Sequence, residues 1–101
     1  MIKELSNEVF NDEVKNGLVL VDFYATWCGP CKMMHPIIEK ISQQYPDLKI
    51  IKVDVDKHES VAREYSVMSI PTLVLFKDGN VIEKNVGFVP EEQLVKWIQN
   101  N

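Results

Sequence analysis

Cysteine is almost absent. The 101 residues hold two, Cys28 and Cys31, with two residues between them. A disulfide stabilises a fold mainly by closing a long loop of the unfolded chain, and so small a ring closes almost none. A disulfide-stapled scaffold is therefore excluded, and the pair reads as redox or metal chemistry. Long hydrophobic runs are also missing, and none is long enough to span a membrane. Lys and Arg number 11 against 15 Asp and Glu, a net charge of −4. No basic cluster interrupts that balance, so nucleic acid is not an expected partner. The opening residues Met1–Glu8 lack the basic and apolar regions of a signal peptide, which makes the cytoplasm the expected location. There is no internal repeat, low-complexity stretch or linker, so the expectation is one domain over residues 1–101.

What remains is an ordinary globular composition, 46% hydrophobic and 26% charged. Two periodicities alternate along it. Val9, Phe10 and Val14 recur at helical spacing before Asn16-Gly17. Leu18–Ala25 is almost wholly apolar, the pattern of a central strand covered on both faces. Met34, Ile37, Ile38, Ile41 and Tyr45 line one face of a helix that Pro46 closes and Pro36 should kink. Leu48–Val55 reads as the next strand, and Asp56 with Glu59 resembles a capping box for a short helix carrying Val61, Ala62 and Tyr65. Thr72–Phe76 and Val81–Val86 flank Asp78-Gly79, a strong hairpin signal. Pro90, Glu91 and Glu92 suit the first turn of a last helix with Leu94, Trp97 and Ile98 as its buried stripe. With a weak first strand near Ile2–Leu5, the order is β-α-β-α-β-α-β-β-α. That order predicts an α/β fold with helices on both faces of a mixed sheet.

The cysteines sit in Trp27-Cys28-Gly29-Pro30-Cys31-Lys32, where a buried strand gives way to a helix. A helix N-terminus carries unpaired N–H groups and a positive dipole end, which stabilise a thiolate. Cys28 is expected at that end, exposed, and Cys31 one turn further in and more shielded. Cys28 then attacks a substrate disulfide, and Cys31 resolves the mixed disulfide. Three ligands for a metal exist in Cys28, Cys31 and His35. A structural zinc site usually takes four, so no metal is expected.

Val21–Lys32 resembles the active-site segment of the thioredoxin family almost position for position. Ser69-Ile70-Pro71-Thr72 is similar to that family's second signature, and Phe76–Gly79 and Val86-Gly87 match its later landmarks. The resemblance covers essentially the whole chain. It implies a thioredoxin fold, with a central five-stranded mixed sheet flanked by four helices. It implies general reduction of protein disulfides by a monomer without a cofactor, its electrons supplied by a thioredoxin reductase. Carried over residue by residue, Cys28 is the nucleophile and Cys31 the resolving thiol. Asp22 is a buried carboxylate that moves the Cys31 proton, and Lys52 is its charged neighbour. Pro71 follows a cis bond facing the cysteines. Trp27, Gly29, Pro30, Ile70, Pro71, Val86, Gly87 and Phe88 form an apolar docking surface.

Two positions depart from the family's pattern. Tyr24 stands where many members carry Trp, and His35 adds a titrating group near Cys31. Plainer readings stand beside the sharp ones. Asp22 has the alternative of a partly solvated strand end, and Lys52 that of an exposed strand residue. Asp54 and Asp56 read as strand-edge and capping residues, and His58 as the first turn of a helix. Met33 and Met34 divide between core filler and exposed surface. Two rival functions use the same frame. An oxidase or isomerase is disfavoured by Gly29-Pro30 between the cysteines, and a binding module would tolerate Cys28→Ser.

Overall fold

The alternation of apolar periods in the chain becomes nine elements. The computed structural model describes all of residues 1–101. In chain order they are β1 Ile2–Glu4, α1 Phe10–Val14, β2 Leu18–Tyr24, α2 Gly29–Gln44 and β3 Lys49–Asp54. They continue with α3 Glu59–Glu64, β4 Thr72–Lys77, β5 Asn80–Val86 and α4 Glu91–Asn100. The strands form one sheet in the order β1-β3-β2-β4-β5. β3 runs parallel to β1 and β2, whereas β4 is antiparallel to β2 and to β5. The expected architecture of five mixed strands and four helices is the observed one.

β2 lies at the centre because its sequence permits both faces to be covered. Val19, Val21 and Phe23 point to one side, where Phe10 and Val14 of α1 pack with Ile51, Val53, Val74 and Phe76. Leu20 points to the other, against Met34, Ile38 and Ile41 of α2 and Leu94 and Trp97 of α4. The α2 residues recur at helical spacing, so one stripe of the helix goes inside. Each of these side chains contributes about 1.5–3 kcal/mol when fully buried. Asp22 belongs by strand alternation to the α2 side, yet it follows the same central strand into the interior.

The hairpin forms as expected. Asp78 and Gly79 both take positive φ, 50° and 86°, and Lys77 pairs with Asn80. That is the two-residue turn whose twist matches the strands on either side. Asp78 also ties the turn to the rest of the chain, because its Oδ1 accepts the Gly17 N–H at 2.8 Å.

α2 runs on through Pro36, whose missing N–H forgoes one intrahelical bond. One expectation is corrected. The Asp56–Glu59 capping box does not form. His58 is the N-cap of α3 and makes no side-chain cap, while its Nε2 reaches the Leu5 carbonyl at 2.9 Å. Asp56 is engaged elsewhere: its N–H donates to Asp54 Oδ1 at 2.9 Å, and its Oδ2 accepts the Trp27 indole N–H. Such a side-chain bond competes with helix capping for the same short acidic residues. Met34 is the core filler and Met33 the exposed neighbour.

Candidate active site

The cysteines lie where the C-terminal end of β2 meets the N-terminus of α2. Cys28 is the N-cap of that helix, in extended backbone conformation, and Gly29 and Pro30 open the first turn. Pro30 has no N–H to leave unpaired there, and the Cys31 amide, still in the first turn, has no intrahelical acceptor. It donates to Cys28 Sγ at 3.2 Å. Cys28 and Cys31 are joined by a disulfide, with their Cα atoms 5.2 Å apart.

The expected difference in exposure between the two sulfurs is not there. Cys28 is 5% exposed and Cys31 6%. They differ in surroundings instead. Cys28 Sγ receives the helix-end N–H and lies 3.8 Å from the Ile70 carbonyl oxygen. Cys31 lines a cleft of about 220 Å³ with Tyr24, Ala25, Thr26, Lys32, His35 and Lys52. One sulfur therefore faces a backbone edge, and the other faces a cleft that holds the charged or titratable groups Lys32, His35 and Lys52.

Beside the sulfurs the Ile70–Pro71 peptide is cis. Pro71 itself is buried, and its carbonyl accepts the Gly87 N–H at 2.7 Å. That bond sets the Val86–Phe88 segment next to Ile70. Trp27, Val86 and Phe88 are exposed, Gly29 and Pro30 are open to solvent, and Ile70 and Gly87 are half-buried. Together they form an exposed apolar collar around the two sulfurs.

Sequence reasoning missed two residues beside this collar. Met68 is 93% exposed two residues before Ile70, and nothing in its local pattern set it apart from an ordinary loop residue. Asp56 holds Trp27, because its Oδ2 accepts the indole N–H at 2.8 Å. An acidic residue just past a strand end was legible in the sequence, but its long-range partner was not.

Asp22 is 1% exposed, and its Oδ1 has no hydrogen-bond partner. Burial pushes its carboxyl up to about 6, partly offset by the Lys52 charge and reinforced by Glu4. Lys52 is half-buried beside it in register on β3. Tyr24 donates its hydroxyl to Glu4 Oε1 at 2.7 Å, and burial with that carboxylate raises the phenol.

This arrangement has close counterparts among known proteins. The family model described as Thioredoxin matches residues 1–100. The chain belongs to the thioredoxin family. It is 46% identical to a thioredoxin of Chlamydia trachomatis over 101 residues, all of this chain and 99% of that one. It is also 46% identical to a Bacillus subtilis thioredoxin, covering 99% of this chain and 97% of the relative. Among solved structures it resembles mitochondrial thioredoxin 3 of Saccharomyces cerevisiae in its oxidised form. The TM-score is 0.83 at 45% identity, over 91% of this chain and 87% of that one. A single-site mutant of a thioredoxin from Halobacterium salinarum gives a TM-score of 0.90 at 39% identity, over 98% and 88% of the two chains. As a thioredoxin, this chain is a thiol–disulfide oxidoreductase whose Cys28–Cys31 pair performs dithiol–disulfide exchange. No helix is long and apolar enough to cross a membrane.

Proposed function

We propose that this thioredoxin reduces disulfides of protein substrates in the cytoplasm, as a monomer of one domain, and is itself re-reduced by a thioredoxin reductase. The observation that carries the reading is the position of Cys28. Its sulfur receives a free N–H of the first helical turn and stands beside the Ile70 carbonyl, within an exposed apolar collar. A thiolate formed there is stabilised by the helix end and placed where an extended substrate segment can dock.

In the dithiol form, the Cys28 thiolate attacks one sulfur of the substrate disulfide. A mixed disulfide forms, and the other substrate sulfur leaves as a thiolate that takes a proton from solvent. Cys31 loses its proton and attacks Cys28 Sγ. The mixed disulfide breaks, the substrate leaves as a dithiol, and the Cys28–Cys31 bond closes. Two electrons pass from the pair to the substrate. Asp22 is the group that takes the Cys31 proton, since it is buried on the side of β2 that α2 covers and its carboxyl, raised to about 6, is ionised at neutral pH yet far more basic than an ordinary carboxylate. Lys52 offsets the negative charge that Asp22 carries before it takes that proton. Trp27, Gly29, Pro30, Ile70, Val86, Gly87 and Phe88 supply the docking surface, and Pro71 positions its backbone.

The test is reduction of insulin disulfides coupled to NADPH oxidation by a bacterial thioredoxin reductase. Sustained NADPH consumption that depends on the chain is the expected result. Insulin reduction driven by dithiothreitol but not by the reductase would remove that enzyme as the partner.

A further inference from the structure

One row of side chains crosses three parallel strands beneath the cysteines. Glu4 on β1, Lys52 on β3 and Asp22 on β2 are register partners in that order. Lys52 thus stands between two carboxylates, yet it pairs with neither. Its ammonium donates to Nδ1 of His35 at 3.2 Å and sits 4.5 Å from the centroid of the Tyr24 ring. Glu4 is engaged by the Tyr24 hydroxyl, and Asp22 Oδ1 is left without a partner. A buried, unpartnered carboxylate oxygen is costly, and a lysine one strand away would relieve that cost unless something held it elsewhere.

His35 is that something. An ammonium has donors only, so the imidazole accepts through Nδ1 and carries its hydrogen on Nε2. Nε2 lies 3.6 Å from Glu39 Oε1, one turn along α2, which favours this orientation of the ring. His35 and Lys52 line the same cleft as Cys31. His35 is exposed and Lys52 half-buried, whereas Asp22 is interior. We propose that His35 is a positioning residue: its Nδ1 holds the Lys52 ammonium on the solvent side of the cleft, away from Asp22, and so governs how readily Asp22 exchanges its proton. The functional consequence rests on the reading of Asp22 as the group that takes the Cys31 proton.

Every charged or titratable neighbour acts on this geometry. From β1 it is Glu4, from β2 Tyr24, and from β3 Lys52 and Asp54. From α2 they are Lys32, His35 and Glu39, beside the cysteines themselves. β4 offers Asp22 only Leu73 in register. Lys52 is the one cation among them rooted next to Asp22, so moving it changes Asp22 most. An opposite charge brought to within about 4–6 Å of a carboxylate favours its ionised form.

Carbon-detected NMR titration of the Asp22 carboxyl in the oxidised protein reads the effect without turnover. His35→Ala removes the acceptor from an exposed helix position, where alanine favours the helix. It is expected to lower the Asp22 midpoint by about one pH unit as Lys52 turns inward. His35→Asn places an acceptor oxygen on Cγ, where Nδ1 was, and is expected to restore the midpoint. A purely structural histidine would leave the titration unmoved in both. The rate profile of Asp22→Asn separates the two claims. If that profile matches wild type, Asp22 leaves the Cys31 step, and the carboxyl titration still decides the role of His35. An unmoved midpoint in His35→Ala, or an equal fall in His35→Asn, overturns the proposal.

Discussion

Cys28→Ser is expected to bring disulfide reduction down to the uncatalysed rate, while Cys31→Ser is expected to accumulate as a mixed disulfide at Cys28. Both substitutions remove one sulfur from a pair of nearly equal burial. Exposure therefore does not decide which sulfur attacks first. The hydrogen bond does: Cys28 Sγ accepts the Cys31 N–H at the start of α2, a contact that favours the anion. A serine hydroxyl there accepts the same bond but is not a nucleophile toward disulfides. Without Cys31 the first exchange still proceeds, and nothing releases the substrate. Intact-mass spectrometry after incubation with glutathione disulfide checks both. An adduct on Cys31→Ser, mapped to Cys28, is the expected outcome. An adduct on Cys28→Ser at Cys31 with normal turnover would reverse the assignment of the two roles.

Asp22→Ala is expected to stabilise the fold at neutral pH and slow the chemistry. The folded carboxyl holds its proton up to about 6, against an ordinary value of 3.8. Between those values the unfolded chain has already released its proton and the folded chain has not. Folding therefore binds protons there, and stability falls as pH rises from about 4 to about 6, then levels off. The accumulated loss is about 3 kcal/mol at pH 7, from 1.36 kcal/mol for each unit of difference. Alanine removes that loss, offset in part by the small void it leaves. Urea unfolding at pH 7 is expected to show Asp22→Ala more stable by up to about 3 kcal/mol, with the gain vanishing at about pH 3.5. Turnover at pH 7 is expected to fall by about tenfold. That is below the roughly 10²–10⁴-fold usual for a positioned proton acceptor, because the cleft at Cys31 is open to solvent. A variant no more stable than wild type at pH 7 contradicts the burial argument.

The order of elements was legible because the apolar spacing is unambiguous in most of them. Val19, Val21 and Phe23 on one face and Leu20 on the other require a strand covered twice. Asp78-Gly79 dictates its own turn through positive φ. The cysteine site was legible through a motif that lies within one turn of helix. Contacts between distant segments were not legible. The bond from Asp56 to Trp27 spans 29 residues, and that from His35 to Lys52 spans 17. No local spacing encodes either, since each depends on how β3 settles beside β2 and α2. The capping box failed for a related reason: the distant Trp27 indole holds the Asp56 carboxylate, and Asp54 holds its amide. The equal burial of the two sulfurs was also out of reach, because the Ile70 segment that covers Cys28 lies 42 residues away.

The central claim is that the Cys28–Cys31 pair donates electrons to protein disulfides rather than withdrawing them. Gly29 and Pro30 place no charge and no side-chain donor inside the ring, so the helix end alone stabilises the Cys28 thiolate. The dithiol is then only moderately favoured, and the pair stays a good reductant. Equilibration of the purified chain against dithiothreitol redox buffers, with the dithiol fraction counted by alkylation and mass, measures this directly. The expected midpoint is near the roughly −270 mV general to thioredoxins, a value taken from the family as a whole. A midpoint near the roughly −120 mV of a strong disulfide donor would contradict it.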